Sequence, residues 1–425
     1  MFSRIKSMWG IRELRNRLLF TFAILLVFRA GCSLAVPYVS AAALSAMYNN
    51  GTVLDYMNML SGGALSRCAV FALGVSPYIN ATIIMQLLTA AFPCLSELKK
   101  DADGGKTLER YTKYLSVALA VVMAVGYYFV LRNYGALQYT AGASAVFAAI
   151  VIVSTFVAGA QLVVWLGGRI DDHGIGNGVS ILIFAGIVSR WDSFTALLGT
   201  AWTRVSGGDW WFALVALGVV AFTLLSVYFV VYTNGSEKRI PIQYSGSRGR
   251  RGGASFLPLK LVMSGVLPII FASSILSIPA TIGMFVNAAK HPSLYLALMG
   301  FNSTNWLYNI LYILLIFAFS FFYLEIQVDP VEMANRLRKD GAAIPGVRPG
   351  APTAEKLQRD MHQLAITGSL ILSLVALAPI VCSAVTGLQM QLSGTSLLIA
   401  VGVVAELMRA VDSYITVRHH RGFLN

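Results

Sequence analysis

Charge is scarce in this chain. Only 12% of its 425 residues are Asp, Glu, Lys or Arg, against roughly 25% in an ordinary soluble domain. A chain that is also 57% hydrophobic has too little polar surface to cover a water-exposed fold. Histidine is scarcer still. The five histidines, His173, His291, His362, His419 and His420, fall in loops or at the C-terminal end. The H-E-x-x-H, G-x-S-x-G and G-x-x-x-x-G-K patterns are missing, so no catalytic constellation and no cofactor or metal site is expected. The four cysteines, Cys32, Cys68, Cys94 and Cys382, have no C-x-x-C spacing. That excludes a disulfide framework or zinc site and leaves them as small apolar filler. The ten-residue alternating segments of a membrane barrel are lacking too.

What the chain has instead is apolar length. Ten stretches approach the ~20 residues that span a bilayer as a helix. They fall at about 18–37, 75–94, 114–131, 144–166, 175–190, 210–232, 259–286, 306–326, 363–385 and 394–415. The expected fold class is an all-α polytopic membrane protein. The basic N-terminus runs straight into the first span without a cleavage site. The net charge of +13 is a topology signal rather than a nucleic-acid surface. With the N-terminus in the cytoplasm, only Arg67, Arg132, Arg190, Arg204 and Lys290 fall on the far side, and Arg29 lies within the first span. Every other Lys and Arg is cytoplasmic, as the positive-inside rule requires. Both termini are then cytoplasmic. Each half of the chain, 1–190 and 191–425, holds five spans. An odd-numbered repeat places the second copy upside down.

Two cytoplasmic loops are long. Residues 233–260 are rich in Gly, Ser and Arg, and the alternation of Ile240, Ile242 and Tyr244 suggests a short hairpin. In 327–362, VEMANRLRK reads as the start of an amphipathic helix and IPGVRPGAP as an extended, proline-stiffened tip. Two spans separate these basic loops, so they could lie side by side. They serve either to dock an acidic partner or as a solvated topology signal. GIGNGVS (174–180) opens a membrane helix rather than following a strand, and reads as a close helix entry.

Charges within spans are functional by default unless they reach the interface. Arg29 sits inside the first span, Glu325 near the end of the eighth, and Glu406, Arg409 and Asp412 near the end of the tenth. No carboxylate or histidine stands at mid-membrane, which argues against a proton-coupled solute transporter, the rival class. The second span poses a different question. It carries Asn80 and Gln86 among apolar residues and opens at Pro77, which suits a first helical turn. At 100° per residue Ile79, Ile83 and Gln86 share one stripe, and Asn80, Ile84 and Leu87 the next. The preceding 58–74, with Gly62-Gly63, reads as a short half-helix at membrane depth. Such backbone is tolerated only inside protein or against a cavity. The amides either bond between helices or face such a cavity.

The stretch YMNMLSGGALSRCAVFALGVSPYINATIIMQLL (56–88) resembles the plug and second span of the bacterial SecY family, the central subunits of the Sec protein-conducting channel. GIGNGVSILIFAGIV (174–188), EKRIPIQY (237–244), LPLKLVMSGVLPIIFASSIL (257–276), DPVEMANRLRKDGAAIPGVRPGAPT (329–353) and GTSLLIAVGVV (394–404) are similar to later blocks of that family, in order. The resemblance implies ten transmembrane helices in two five-helix halves closing around an hourglass pore in the bacterial cytoplasmic membrane. It implies a ring of Ile79, Ile83, Val179, Ile183, Ile270 and Ile399 at the waist. It implies a plug at about 62–73, with Gly62, Gly63 and Arg67, and a lateral gate toward lipid at which Asn80 and Gln86 would bond. Lys238, Arg239 and Arg348 would dock the SecA motor ATPase or a translating ribosome. SecE and SecG would be partner subunits, and signal sequences and nascent polypeptides the substrate. After Tyr244, where the family commonly has Ala-Lys-Arg, this chain has Ser245-Gly246-Ser247 and recovers charge at Arg248, Arg250 and Arg251.

Overall fold

The computed structural model describes residues 11–40, 58, 61–101, 103–133, 135–139, 142–189, 199, 203, 211–244, 255–262, 265–283, 285–286, 291–301, 305–386 and 394–421. In chain order the elements are α1 (Arg12–Gly31), α2 (Ser76–Ala91), α3 (Pro93–Lys100), α4 (Gly104–Asn133), α5 (Gly142–His173), α6 (Gly178–Val188) and α7 (Trp211–Gly235). Strands β1 (Glu237–Tyr244) and β2 (Ser255–Lys260) follow, then α8 (Leu267–Leu276), α9 (Ile278–Gly283) and α10 (Pro292–Met299). The chain closes with α11 (Trp306–Gln327), α12 (Pro330–Lys339), β3 (Ala342–Ala343), α13 (Ala351–Thr386) and α14 (Gly394–Arg421).

Two compact units result. One comprises Met1–Ala196, Leu276–Asn305 and Val403–Asn425; the other comprises Leu197–Ile275 and Trp306–Gly402. In the first, α2 packs along α4, α4 along α5, and α1 against α5 and α6. Its core lies where Tyr127 of α4 meets Phe156 of α5 edge-on, ring centroids 5.4 Å apart. The residues between α1 and α2 supply the rest of that core: Leu65, Cys68, Ala72 and Leu73 are buried in the same cluster. Pro77 starts α2 and Pro93 starts α3. Phe92 between them is extended, as the residue before proline prefers. The chain bends there by 107°.

In the second unit, β1 pairs antiparallel with β2, with Ile240 opposite Leu257. On its other side β1 pairs antiparallel with β3, through Gln243 opposite Ala343 and Tyr244 opposite Ala342. The hairpin expected from Ile240 and Ile242 is there, and both side chains are buried. Its tip, 245–254, with Arg248, Arg250 and Arg251, lies outside the described residues. Helix α12 is capped by Asp329, whose Oδ1 accepts from the Val331 and Glu332 amides at 2.8 and 3.2 Å. Arg336, Arg338 and Lys339 sit in its last turn, where cations suit the helix dipole. Ile240, Leu259, Leu324, Ile344, Leu357 and Met361 pack into one cluster beneath the sheet.

Among the described residues, five helices are long and apolar enough to cross a membrane, in α4, α5, α7, α11 and α13, and a sixth if α2 and α3 form one bent span. Helix α7 makes the lipid-facing character plain. Leu217, Leu224 and Leu225 are each about two-thirds exposed, a surface water would not tolerate. Ten uninterrupted spans do not emerge among the described residues, where several expected spans are short or split. Helix α6 has only 11 residues. The expected span 259–286 starts as strand β2 and becomes helical only at Leu267, after Gly265 at φ +62°, and divides again into α8 and α9. The first helix begins earlier than expected, at Arg12, and ends at Gly31. Beyond it, Val36 and Leu34 pair with Cys68 and Val70 instead of continuing the helix.

Candidate functional site

The segment before α2 is not the half-helix its sequence suggested. Residues 61–75 run as successive turns. Gly62, Gly63, Cys68 and Gly74 all take positive φ, between +46° and +81°. A helix of L-residues does not pass through that region, so each is a corner. The segment is nonetheless deeply placed. Ser61, Ala64, Leu65, Cys68, Ala69, Phe71, Ala72 and Leu73 are buried, and Arg67 alone among the charged residues here is exposed.

Buried backbone must be paired, and here neighbours do much of it. The Tyr127 hydroxyl donates to the Leu65 carbonyl at 2.8 Å and lies 3.3 Å from Cys68 Sγ. Val36 donates to the Cys68 carbonyl at 2.8 Å, and Val70 to the Leu34 carbonyl at 2.9 Å. Asn58 Oδ1 accepts from the Ser66 amide at 3.0 Å. The Gly62 carbonyl accepts from Arg29 at 3.1 Å, with Ser189 Oγ 3.2 Å away. Two glycines on neighbouring helices make the seat. A methyl on Gly159 of α5 would collide with the Val70 carbonyl, and one on Gly31 with the Phe71 ring.

The helix that follows carries Ile79 and Ile83, both buried, while Ile84 and Leu87 are partly open. Asn80 and Gln86 are half-buried on the same helix. Helix α6 starts in a tightly tied loop. Asn177 Oδ1 caps the Ser180 amide at 2.9 Å, and Asp171 Oδ1 accepts from Gly178 at 2.7 Å. A methyl on Gly178 would strike the Gly167 carbonyl, so GIGNGVS is a close helix entry, as its sequence suggested. On α6, Ile183 is buried and Val179 half-buried. Four of the six expected ring residues thus lie in the first unit. Ile270 on α8 and Ile399 on α14 are buried in the second.

The expected docking residues lie on the sheet and the loop beside it. Lys238 is tied to Asp360 of α13 at 2.8 Å. Arg239 is exposed on β1, and Arg348 is exposed in the turn before α13, where its carbonyl accepts from Thr353 at 2.8 Å. The tip 344–350 turns rather than extends, with Gly346 at φ +81°. No group of His, Cys, Asp and Glu suited to a metal ion occurs among the described residues. Sequence reasoning missed Tyr127, Gly159 and Asp360. Tyr127 was open to notice, since a buried tyrosine hydroxyl in an apolar helix needs a partner. Asp360 and Gly159 carried no local signal.

The family model for SecY matches residues 69–408. The chain belongs to the SecY family. It is 36% identical over 433 residues to the protein translocase subunit SecY of Aquifex aeolicus, covering 99% of each chain. It is 36% identical over 438 residues to that of Bacillus subtilis, covering 100% of each. A solved protein conducting channel shares the fold with a TM-score of 0.67 at 19% identity, over 93% of this chain and 91% of that one. Sec61 from a canine ribosome–channel complex does so at 0.65 and 18%, over the same shares. SecY proteins are channel subunits, not enzymes, in keeping with a sequence that carries no catalytic cluster.

Proposed function

We propose that this chain is the SecY subunit of a protein translocase, a protein-conducting channel that passes unfolded secretory polypeptides across the membrane and releases apolar helices sideways into lipid. The observation that carries this reading is whole-length kinship with translocase subunits, 36% identical with 99% of each chain covered. The channel does no chemistry and is driven by a partner.

The fuller architecture is ten spans in two inverted halves, 1–190 and 191–425, in the bacterial inner membrane with both termini cytoplasmic. Ile79, Ile83, Val179, Ile183, Ile270 and Ile399 form the waist. Six aliphatic side chains make a gasket that dewets when empty and yields around a passing chain. Residues 62–73, with Gly62, Gly63 and Arg67, are the plug. Their burial and their hydrogen bonds to α1 and α4 support a closed seat. Asn80 and Gln86 are the gate amides. Interhelical hydrogen bonds worth ~0.6 kcal/mol hold a gate yet let it open.

Lys238, Arg239 and Arg348 face the SecA motor or a translating ribosome. The pairing of β3 with β1 supports this, because it joins the two basic loops into one surface. Two of the solved fold neighbours are ribosome-bound channel complexes, which makes the ribosome a reasonable partner beside SecA, SecE and SecG. The test is reconstitution of the chain with SecE, SecG and SecA in liposomes. ATP-dependent protease protection of a signal-bearing precursor is expected. Solute uptake without precursor protection would sink the reading.

A further inference from the structure

Arg29 is a cation inside the first helix for which the account above has no task. It stands in the last turn of α1, half-buried. Among the described residues it forms no ion pair; Nη1 donates to a backbone carbonyl, Gly62 O, at 3.1 Å. The same oxygen lies 3.2 Å from Ser189 Oγ, but that hydroxyl donates to Gly186 O at the shorter 2.8 Å. A hydroxyl has one proton, so Arg29 is the principal donor to Gly62.

The geometry around the bond is built, not incidental. Gly62 has φ +66°, and a Cβ there would stand 3.0 Å from the Gly186 Cα of α6. Only glycine lets this backbone approach α6 and turn its carbonyl toward Arg29. One residue earlier, the Cys32 thiol lies 3.5 Å from the Ser61 carbonyl. A few residues later, Val36 and Leu34 pair with Cys68 and Val70. The end of α1 and the strand-like residues after it therefore grip segment 61–70 at both ends, and Arg29 is the charged member of that grip.

We infer that Arg29 is a latch residue: its guanidinium holds the 61–74 segment in its closed seat through the Gly62 carbonyl, and opening requires that bond to pass to water. The functional part of the inference rests on the reading of 61–74 as the plug. A charged donor is expensive to leave unpaired in a dry interior. The half-buried guanidinium keeps the bond while it stays packed against the segment. When water competes for both donor and acceptor, the bond's net value falls. The latch thus holds the closed segment and yields as water takes over its two ends.

The experiment is hydrogen–deuterium exchange on the full chain in lipid nanodiscs, comparing Arg29→Gln and Arg29→Lys with the unaltered protein. The Val70 and Ala69 amides, which donate to Leu34 O and Ala64 O at 2.9 Å each, are the reporters. Arg29→Gln should speed exchange across 61–74 by about ten-fold to a hundred-fold, the range set by losing a charged hydrogen bond, with α4 and α5 unchanged. Arg29→Lys, which keeps the charge but not the planar fork, should fall between; it carries the test if the Gln variant does not fold. Unchanged exchange in 61–74 overturns the latch. Export of a precursor with a defective signal is scored alongside. Faster exchange with raised export supports latch and plug together. Faster exchange with unaltered export upholds the latch and instead overturns the plug reading on which its function rests.

Discussion

The hydroxyl of Tyr127 donates to the carbonyl of Leu65 at 2.8 Å, with both residues essentially sealed from solvent. This one contact ties a membrane-length helix to the irregular segment before α2. It makes that segment part of the first unit's core rather than a loose loop over it. Tyr127→Phe keeps the ring against Phe156 and removes only the donor. The Cys68 amide also donates to that carbonyl, at 3.1 Å, so the variant loses one of its two bonds, worth about 0.5–1.5 kcal/mol. The variant should unfold at lower temperature in detergent, with the excess exchange concentrated around Leu65. A melting temperature equal to the parent's would mean that the Cys68 amide alone satisfies the carbonyl.

Gly159→Ala attacks the same seat from α5. The added methyl collides with the Val70 carbonyl, and neither the α5 backbone nor the Val70 backbone, tied to Leu34 at 2.9 Å, gives easily. Overpacking of this kind costs about 1–3 kcal/mol. Gly168→Ala, on the same helix with open space at its Cβ, is the control and should be neutral. If the two alanines behave alike, the close approach at Gly159 is not a constraint.

The free and the ion-paired cations of the docking surface should behave differently. Lys238 is held by Asp360 and is partly shielded, whereas Arg348 is exposed. Arg348→Glu should cut motor-driven export several-fold while leaving thermal stability alone. Asp360→Asn should do the reverse, costing about 0.2–1 kcal/mol of stability, as a partly exposed ion pair does, with export little changed. Export assays and melting curves on both variants check this. Equal export losses would mean that the ion pair itself is part of the docking surface.

The aliphatic waist predicts a relaxed signal requirement. Ile270→Asn or Ile399→Asn places a polar group where the gasket should be dry, and should raise export of a precursor with a defective signal. Both side chains are buried in the second unit, so Ile270→Val serves as the packing control. Relaxation by Val as strong as by Asn would assign the effect to packing alone.

How much of this was legible beforehand follows from where the information sits. Helix α2 was readable because Pro77 and an apolar run are local signals. The hairpin was readable because Ile240 and Ile242 alternate. The turns of 61–75 were misread as a half-helix because the apolar pattern there is real; the residues do go inside. What breaks the helix is positive φ at Gly62, Gly63, Cys68 and Gly74, and a cysteine gives no warning of that. The span expected at 259–286 is shortened because Leu259 and Lys260 serve strand β2 against β1, a tertiary choice that apolar content alone does not reveal. Arg29 stood out as a charge in a span, yet its partner is a carbonyl thirty-three residues away, which no spacing rule encodes. The side-by-side basic loops were a conjecture from topology, and the two-residue β3 that joins them is too short to carry its own sequence signal.

The most direct test of the central claim is photo-crosslinking from position 83. Ile83 is buried on α2 and belongs to the proposed waist. A photoreactive residue placed there, with a secretory chain stalled partway through the channel, should crosslink to that chain on illumination. Labelling of the chain only from a lipid-facing control at Leu224, with none from position 83, would take residue 83 off the polypeptide path and contradict the waist as drawn.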